Sequence, residues 1–269
     1  LARQIAPLLP QTAGNVYEFG AGTGALAATL LHALSGCINR AEGGKQIWQV
    51  WQQIGSAKPQ AVSPHDAPPL VFRLPEFGLT MPFQLGDFTQ INLPLNEIMV
   101  ARAVHFLDPQ PHERIADLFC GLGNFTLPLA TRARQVLGVE GVNALVERGR
   151  RNAQANRQVL RAAPGKGGVQ FRMANLFEFT TNDWHAFGGV DRLLIDPPRD
   201  GALAVARVLA ALPVAARPAR MVYVSCNPAT LARDLGLMVH EGHWTVEKAG
   251  VANMFPHTGH VESIALLTR

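Results

Sequence analysis

Ile115-Ala116-Asp117-Leu118-Phe119-Cys120-Gly121-Leu122-Gly123-Asn124-Phe125-Thr126 decides the fold. A short apolar run leads into two closely spaced glycines and then into a helix-forming segment that starts at Phe125, the strand–loop–helix opening of a βαβ unit. Glycines at this place let a backbone approach a ligand closely and adopt dihedrals that other residues resist. The next strand, Val136-Leu137-Gly138-Val139-Glu140, ends in a carboxylate.

Outward from this unit the pattern repeats. A helix is expected between Val142 and Leu160, strands at Val169 to Met173, Arg192 to Asp196 and Met221 to Ser225, and a helix at Leu203 to Leu212. Trp244 to Val251 and Ser263 to Leu267 read as the edge of the same sheet. Upstream, Leu95, Ile98, Met99, Ala103, Val104 and Leu107 recur at helical spacing. The fold class is α/β: a doubly wound, mostly parallel sheet whose ligand sites lie outside the carboxyl ends of its strands. Leu70 to Phe72 and Leu79 to Phe83 can pair around Pro75-Glu76-Phe77-Gly78. From Cys37 to Pro75 the pattern degrades into Gly, Gln, Ser and Pro, with one strand around Trp48 and Trp51. The opening residues read as a helix (Leu1 to Leu9), a strand (Val16 to Phe19), a turn (Gly20 to Gly24) and a helix (Ala25 to Leu34). Three parts follow: a small appendage at 1–45, a linking remnant at 46–89 and a catalytic domain at 90–269.

Four groups of residues carry chemistry. The glycine loop with Glu140, a carboxylate able to take both hydroxyls of a ribose, fits a nucleotide or S-adenosylmethionine; its spacing is not the dinucleotide fingerprint, and a tight packing turn is the alternative. Within it Asp117 can bind loop amides, and Cys120 reads as a small buried filler. Asp196-Pro197-Pro198-Arg199 ends a buried strand, and the prolines make it a rigid edge suited to a planar ligand, or simply a strand exit. Cys226 follows the next strand and precedes Asn227-Pro228, where a helix accepts proline. It is either a core thiol or a nucleophile poised by the positive end of that helix. Phe255-Pro256-His257-Thr258-Gly259-His260-Val261-Glu262 offers a proton acceptor in Glu262. Its two histidines lack the further ligands a metal would need, so no metal is expected.

Hydrophobic residues make up 48% of the 269 and charged ones 16%, which excludes a disordered chain. The net charge of +4 rests mostly on arginine, which suits phosphate oxygens and a polyanionic partner. Arg148, Arg150, Arg151, Arg157 and Arg161 lie beside or away from the apolar face of the 142–160 segment, as a solvated face or an RNA backbone contact. Cys37, Cys120 and Cys226 are odd in number and far apart, so a reducing, cytoplasmic setting is expected rather than a disulfide framework. No apolar run reaches membrane-spanning length, and nothing at the start resembles a signal peptide with its cleavage site.

From about Leu79 onward the chain resembles the RNA uracil-C5 methyltransferases. The motifs are Asp87-Phe88-Thr89-Gln90-Ile91-Asn92, the Leu118-to-Phe125 loop, Asp196-Pro197-Pro198-Arg199, Ser225-Cys226-Asn227-Pro228 and Met254 to Glu262. The Cys120-to-Ala130 and Phe255-to-His260 patterns follow the branch acting on bacterial 23S rRNA more closely than the tRNA branch. This resemblance implies a Rossmann-like methyltransferase fold, S-adenosylmethionine as methyl donor and RNA, specifically 23S rRNA, as partner, with a monomeric enzyme. It implies donor contacts from Gln90, Phe119, Asn124, Glu140, Asn175 and Asp196, with Cys226 as nucleophile and Glu262 as base. Relatives in the ribosomal branch carry an amino-terminal RNA-binding barrel and a four-cysteine iron–sulfur site; those cysteines do not occur here, so no iron–sulfur cluster is expected and RNA affinity is open. A catalytically silent RNA-binding protein and a tRNA enzyme are the competing readings. A methyltransferase acting on amino groups would have an aromatic residue where Arg199 stands. Val16 to Ala27 resembles the first loop of another methyltransferase family, acting on protein arginine in respiratory-complex assembly, without that family's second strand and its acidic end.

Overall fold

The computed structural model describes residues 15–19, 49–53, 60–63, 69–84, 86–90, 92–166, 168–254 and 261–269. The chain divides into two units, Leu1–Pro69 and Leu70–Arg269. In the first, β1 (Asn15–Phe19) pairs parallel with β2 (Gln49–Gln53), and β2 pairs antiparallel with β3 (Gln60–Ser63). The strands expected at Val16 to Phe19 and around Trp51 are therefore present. The glycine turn at Gly20 to Gly24 and the helices expected at Leu1 to Leu9 and Ala25 to Leu34 lie outside the described residues.

The second unit opens with the expected hairpin, β4 (Val71–Leu74) and β5 (Leu79–Pro82), whose alternate residues are buried. Its turn closes at Gly78, held at φ 65°, where a side chain would be strained. The helix Leu93–Leu107 follows, its first turn capped by the Asn92 side chain, which accepts from the Leu95 amide at 3.3 Å. Beyond it runs a seven-stranded sheet: β6 (Arg114–Leu118), β7 (Gln135–Glu140), β8 (Gly168–Met173), β9 (Arg192–Ile195), β10 (Arg220–Ser225), β11 (Thr245–Ala252) and β12 (Glu262–Thr268). The spatial order is β11-β12-β10-β9-β6-β7-β8. The five strands from β10 to β8 are parallel, and β12 and β11 join antiparallel. Successive residues of β9 feed opposite faces: Leu194 packs with Val104, Val136 and Val222, whereas Leu193 and Ile195 pack with Trp184, Leu209 and Tyr223.

Two features depart from the simplest reading. The last strand lies inside the sheet, between β10 and β11, because Ile264-Ala265-Leu266-Leu267 is apolar on both faces and must be covered on both. β11, which carries Glu247 and Lys248, takes the exposed edge. The segment from Val142 to Leu160 is two helices, Asn143–Ala155 and Arg157–Ala162, joined at Asn156. The buried Asn156 amide acts there as a strand neighbour. It accepts from the Thr80 amide at 2.9 Å and donates to the Thr80 carbonyl at 2.7 Å and the Asn152 carbonyl at 2.8 Å. Asn156→Ala would leave both Thr80 groups without these partners, and a loss of about 2 kcal/mol in urea unfolding is expected. Among the described residues no helix is long and apolar enough to cross a membrane.

Candidate active site

The order of the parallel strands reverses at β6, whose neighbours are β7 on one side and β9 on the other. Loops leaving the carboxyl ends of β6 and β9 therefore diverge and open a crevice. A cavity of about 740 Å³ occupies it, and Gln90, Phe119, Asn124, Glu140, Asn175, Asp196, Cys226 and Glu262 all line it. Residues scattered over more than 170 positions of sequence are thus gathered at one end of the sheet.

On the β6–β7 side the loop is shaped by positive φ angles at Phe119 (63°), Gly121 (54°) and Gly123 (97°). A side chain at Gly123 would sit 3.2 Å from the Phe171 ring. Glu140 braces this loop: it accepts from the Gly121 amide and from the Val142 amide, each at 3.0 Å, leaving lone pairs for a ligand. Asn124 exchanges two hydrogen bonds with the buried Asn96, at 2.9 and 3.0 Å, which fix its amide at the cavity wall and leave one N–H and one lone pair unused by Asn96. Asn175 caps a short turn by accepting from the Phe177 amide at 3.1 Å. Phe177 is 53% exposed and meets Phe119 edge-on at 5.6 Å. The Gln90 side-chain amide oxygen is buried without a partner among the described residues, an acceptor left for a ligand that brings hydrogen-bond donors. Asp117 lies beneath, fully buried, and takes the Thr126 hydroxyl at 2.5 Å; burial lifts its carboxyl to about 7.

The β10–β12 pairing explains the reactive side. Ser225 stands opposite Ser263 in the antiparallel register. The pairing ends there, with Cys226 next after Ser225 and Glu262 next before Ser263, so residues 36 positions apart leave the paired strands at the same end. At Cys226 the chain bends through the Ser225 hydroxyl, which donates to the Asn227 carbonyl and accepts from the Asn227 amide. The helix Pro228–His240 then starts with Asn227 as its cap and proline in its first turn, as expected.

Electrostatics here differ from the reading of a thiol activated by that helix. The Asn227 side chain itself takes the Ala229 amide, at 3.1 Å. Burial, then the Glu262 and Asp196 carboxylates, push the Cys226 thiol up, and only the Arg199 guanidinium and a backbone hydrogen bond pull it down. Burial raises Glu262 to about 7. Asp196 is pushed well above the carboxylate range by burial, then by Glu262 and Asp117. A proton acceptor poised near neutrality thus sits in the same cavity as a half-buried thiol.

A hydrogen-bonded frame locks the Asp196-Pro197-Pro198-Arg199 loop to the cysteine helix. Asn227 and Thr230 side chains donate to the Arg199 carbonyl at 3.0 and 3.1 Å, and Arg233 donates to the Asp200 carbonyl at 2.8 Å. Asp234, fully buried, accepts from the Ala202 amide and the Tyr223 hydroxyl, both at 2.7 Å. Gly201, at φ 76°, has no room for a side chain: a Cβ would lie 2.7 Å from the Asp234 carboxylate and from the Arg233 guanidinium. Gly201→Ala is expected to cost about 2 kcal/mol or more in stability and to weaken ligand binding at Asp196. Urea unfolding and calorimetric titration check both. Asn96, Tyr223, Phe177 and Asp234 escaped the sequence reading; the available signal for Asn96 and Asp234 was a polar residue on the buried face of a helix.

His257 and His260 lie outside the described residues. Among the described residues no group of three or more His, Cys, Asp or Glu could hold a metal ion.

Residues 78–269 match the family of tRNA (uracil-5-)-methyltransferases. The 23S rRNA (uracil(1939)-C(5))-methyltransferase RlmD of Thiobacillus denitrificans is 54% identical over 222 residues, covering 82% of this chain and 49% of that protein. RlmD of Aromatoleum aromaticum is 51% identical over 227 residues, covering 84% and 50%. The chain spans about half the length of these curated relatives. The crystal structure of Pyrococcus abyssi tRNA (uracil-54, C5)-methyltransferase in complex with S-adenosyl-L-homocysteine aligns with a TM-score of 0.63 at 26% identity. That alignment covers 82% of this chain and 50% of the other. Trm5b of Pyrococcus abyssi, at 15% identity and a TM-score of 0.62, shares the fold. With the family match spanning every strand of the seven-stranded sheet, the chain belongs to the tRNA (uracil-5-)-methyltransferase family.

Proposed function

We propose that this chain transfers a methyl group from S-adenosylmethionine to carbon 5 of a uridine in RNA, with 23S rRNA as the substrate. Family membership and the RlmD relatives support the reaction and the substrate class. The observation that carries the reading is that Cys226 and Glu262 line one cavity together with Glu140, Asp196 and the unpartnered side-chain oxygen of Gln90. The co-substrate S-adenosylmethionine supplies an electrophilic methyl group on a sulfonium. Glu140 would accept its ribose hydroxyls, Gln90 and Asp196 would accept from its donor groups, and Phe119 would offer an aromatic face. Asn175 would add a polar contact, and Asn124 would hold the loop through Asn96.

Carbon 5 of uracil is too weak a nucleophile to take a methyl group unaided, which is the reason for a thiol. Cys226 as thiolate adds to carbon 6, and the displaced π electrons make carbon 5 an enolate carbon that attacks the methyl group. The carbon–sulfur bond of the sulfonium breaks, leaving a neutral thioether. Glu262 as carboxylate removes the carbon 5 proton; those electrons restore the 5,6 double bond and expel the Cys226 thiolate. The uridine must leave any stack to enter the cavity.

Both groups act deprotonated, so kcat/KM should climb from pH 6 to pH 8 as Glu262 ionises near 7 and the thiolate fraction grows. A profile that falls over this interval contradicts the assignment. The decisive test is incubation with a 23S rRNA fragment and labelled S-adenosylmethionine, with 5-methyluridine mapped by mass spectrometry. Incorporation at one uridine is expected. Binding of the donor without transfer would favour a catalytically silent RNA-binding protein.

A further inference from the structure

The cavity accounts for one nucleotide, yet the chain carries a second feature that its lining does not use. Residues 131–173 hold nine arginines and lysines against two carboxylates, Glu140 and Glu147, so these 43 residues carry +7 while the whole chain carries +4. The remainder is therefore net acidic, and six of the nine cations lie on the two helices Asn143–Ala155 and Arg157–Ala162 and the edge strand β8.

Two of these cations are already paired. Arg148, at 12% side-chain exposure, pairs with Asp87 at 2.9 Å, and Arg150 pairs with Glu147 while donating to the Phe171 carbonyl. Arg151, Arg157 and Arg161 are exposed, and among the described residues none of them makes an ion pair. Exposed like charges repel one another, and among the described residues no carboxylate pairs with these three. Its position is also specific: Val142 and Leu145, at the start of the first helix, line the cavity. The basic helix pair thus leads away from the cavity mouth. Beside it, an open groove of about 430 Å³ runs along β8 between Arg150 and Arg172.

We infer that the exposed Arg151, Arg157 and Arg161 of this basic helix pair form a face that binds the phosphate backbone of the RNA whose uridine enters the cavity. This rests on the reading of the cavity as a uridine site and adds where the rest of the strand lies. Charge complementarity selects the occupant: guanidinium groups without acidic partners match phosphate oxygens. Contacts of this kind set affinity and orientation without reading sequence, so the face would supply RNA binding generally, and the cavity would choose the base.

The test is the salt dependence of binding to a 23S rRNA fragment, measured by fluorescence anisotropy on the full chain. Changing Arg151, Arg157 and Arg161 together to Gln should weaken binding about tenfold or more at moderate salt. The log–log salt slope should become shallower by up to about two units, since each phosphate left unneutralised takes about 0.7 to 0.9 from it. Arg207→Gln, an exposed cation on the helix Leu203–Ala211, should change neither quantity. Unchanged affinity for S-adenosylmethionine in the triple variant would show that its fold is intact. The inference is overturned if the triple variant binds like Arg207→Gln, or if the unaltered chain binds no RNA. Because the assay needs no turnover, absent methyl transfer with normal face-dependent binding would count against the proposed reaction alone. Turnover with face-independent binding would count against this inference alone.

Discussion

Cys226→Ala is expected to reduce methyl transfer by on the order of 10⁴-fold or more, the scale for removing a covalent nucleophile, while affinity for S-adenosylmethionine changes little. The residue follows β10 directly, half-buried in the cavity wall, and the Ser225–Asn227 hydrogen bonds that bend the chain there do not involve its side chain. Truncation should therefore leave the local backbone in place, and Cys226→Ser should be equally inactive, because a hydroxyl is a far weaker acid than a thiol and a far weaker nucleophile towards carbon 6. Single-turnover assays with donor affinity measured on the same preparation separate loss of chemistry from loss of fold. Residual activity of more than a few per cent in either variant would remove the thiol from the mechanism.

Glu262→Gln is expected to lower turnover by about 10³-fold and to stop the reaction after the methyl group has moved, with RNA still bonded to Cys226. Electrophoresis under denaturing conditions would show a protein–RNA species carrying the label. The same substitution should act on stability in the opposite sense. The carboxyl of Glu262 holds its proton up to about 7 in the folded protein against 4.5 for a free glutamate, so the folded state binds the proton more tightly. Its contribution to stability falls as pH rises from about 4.5 to 7 and stays low above that. Glutamine removes this cost. The variant should be more stable than the parent at pH 8, by about 1–2 kcal/mol once water reaching the carboxylate through the open cavity is allowed for, and no different near pH 4. A gain at pH 8 with lost turnover is the signature of a buried catalytic carboxylate.

What could be read from the sequence were the features that local chain chemistry encodes. The glycine loop between β6 and its helix, the acidic end of β7 and the proline-rigid exit of β9 are each contiguous, so their geometry is written where they occur. Features that depend on distant partners were hidden. The helix break at Asn156 answers to Thr80, 76 residues away. Arg148 looks like any other cation of the basic segment until Asp87 is found 61 residues upstream. The meeting of Cys226 with Glu262 was implied by family resemblance alone; its physical cause is the insertion of β12 next to β10, which only the apolar run at 264–267 foreshadowed. Asn96 and Asp234 illustrate a further limit. Each is a polar residue on a helix face that buries itself, and its role appears only when the partners, Asn124 in one case and Tyr223 with Ala202 in the other, come into contact.

The proposed reaction requires the thiol and the carboxylate to work on one pyrimidine in one cavity. RNA containing 5-fluorouridine tests it most directly, since fluorine at carbon 5 cannot be taken as a proton by Glu262. Incubated with such RNA and S-adenosylmethionine, the protein should form a stable adduct, and peptide mass spectrometry should find a methylated fluorouridine bonded to Cys226. An adduct at another residue, or methyl transfer from the unaltered protein to ordinary RNA with no adduct to the fluorinated one, would contradict the account.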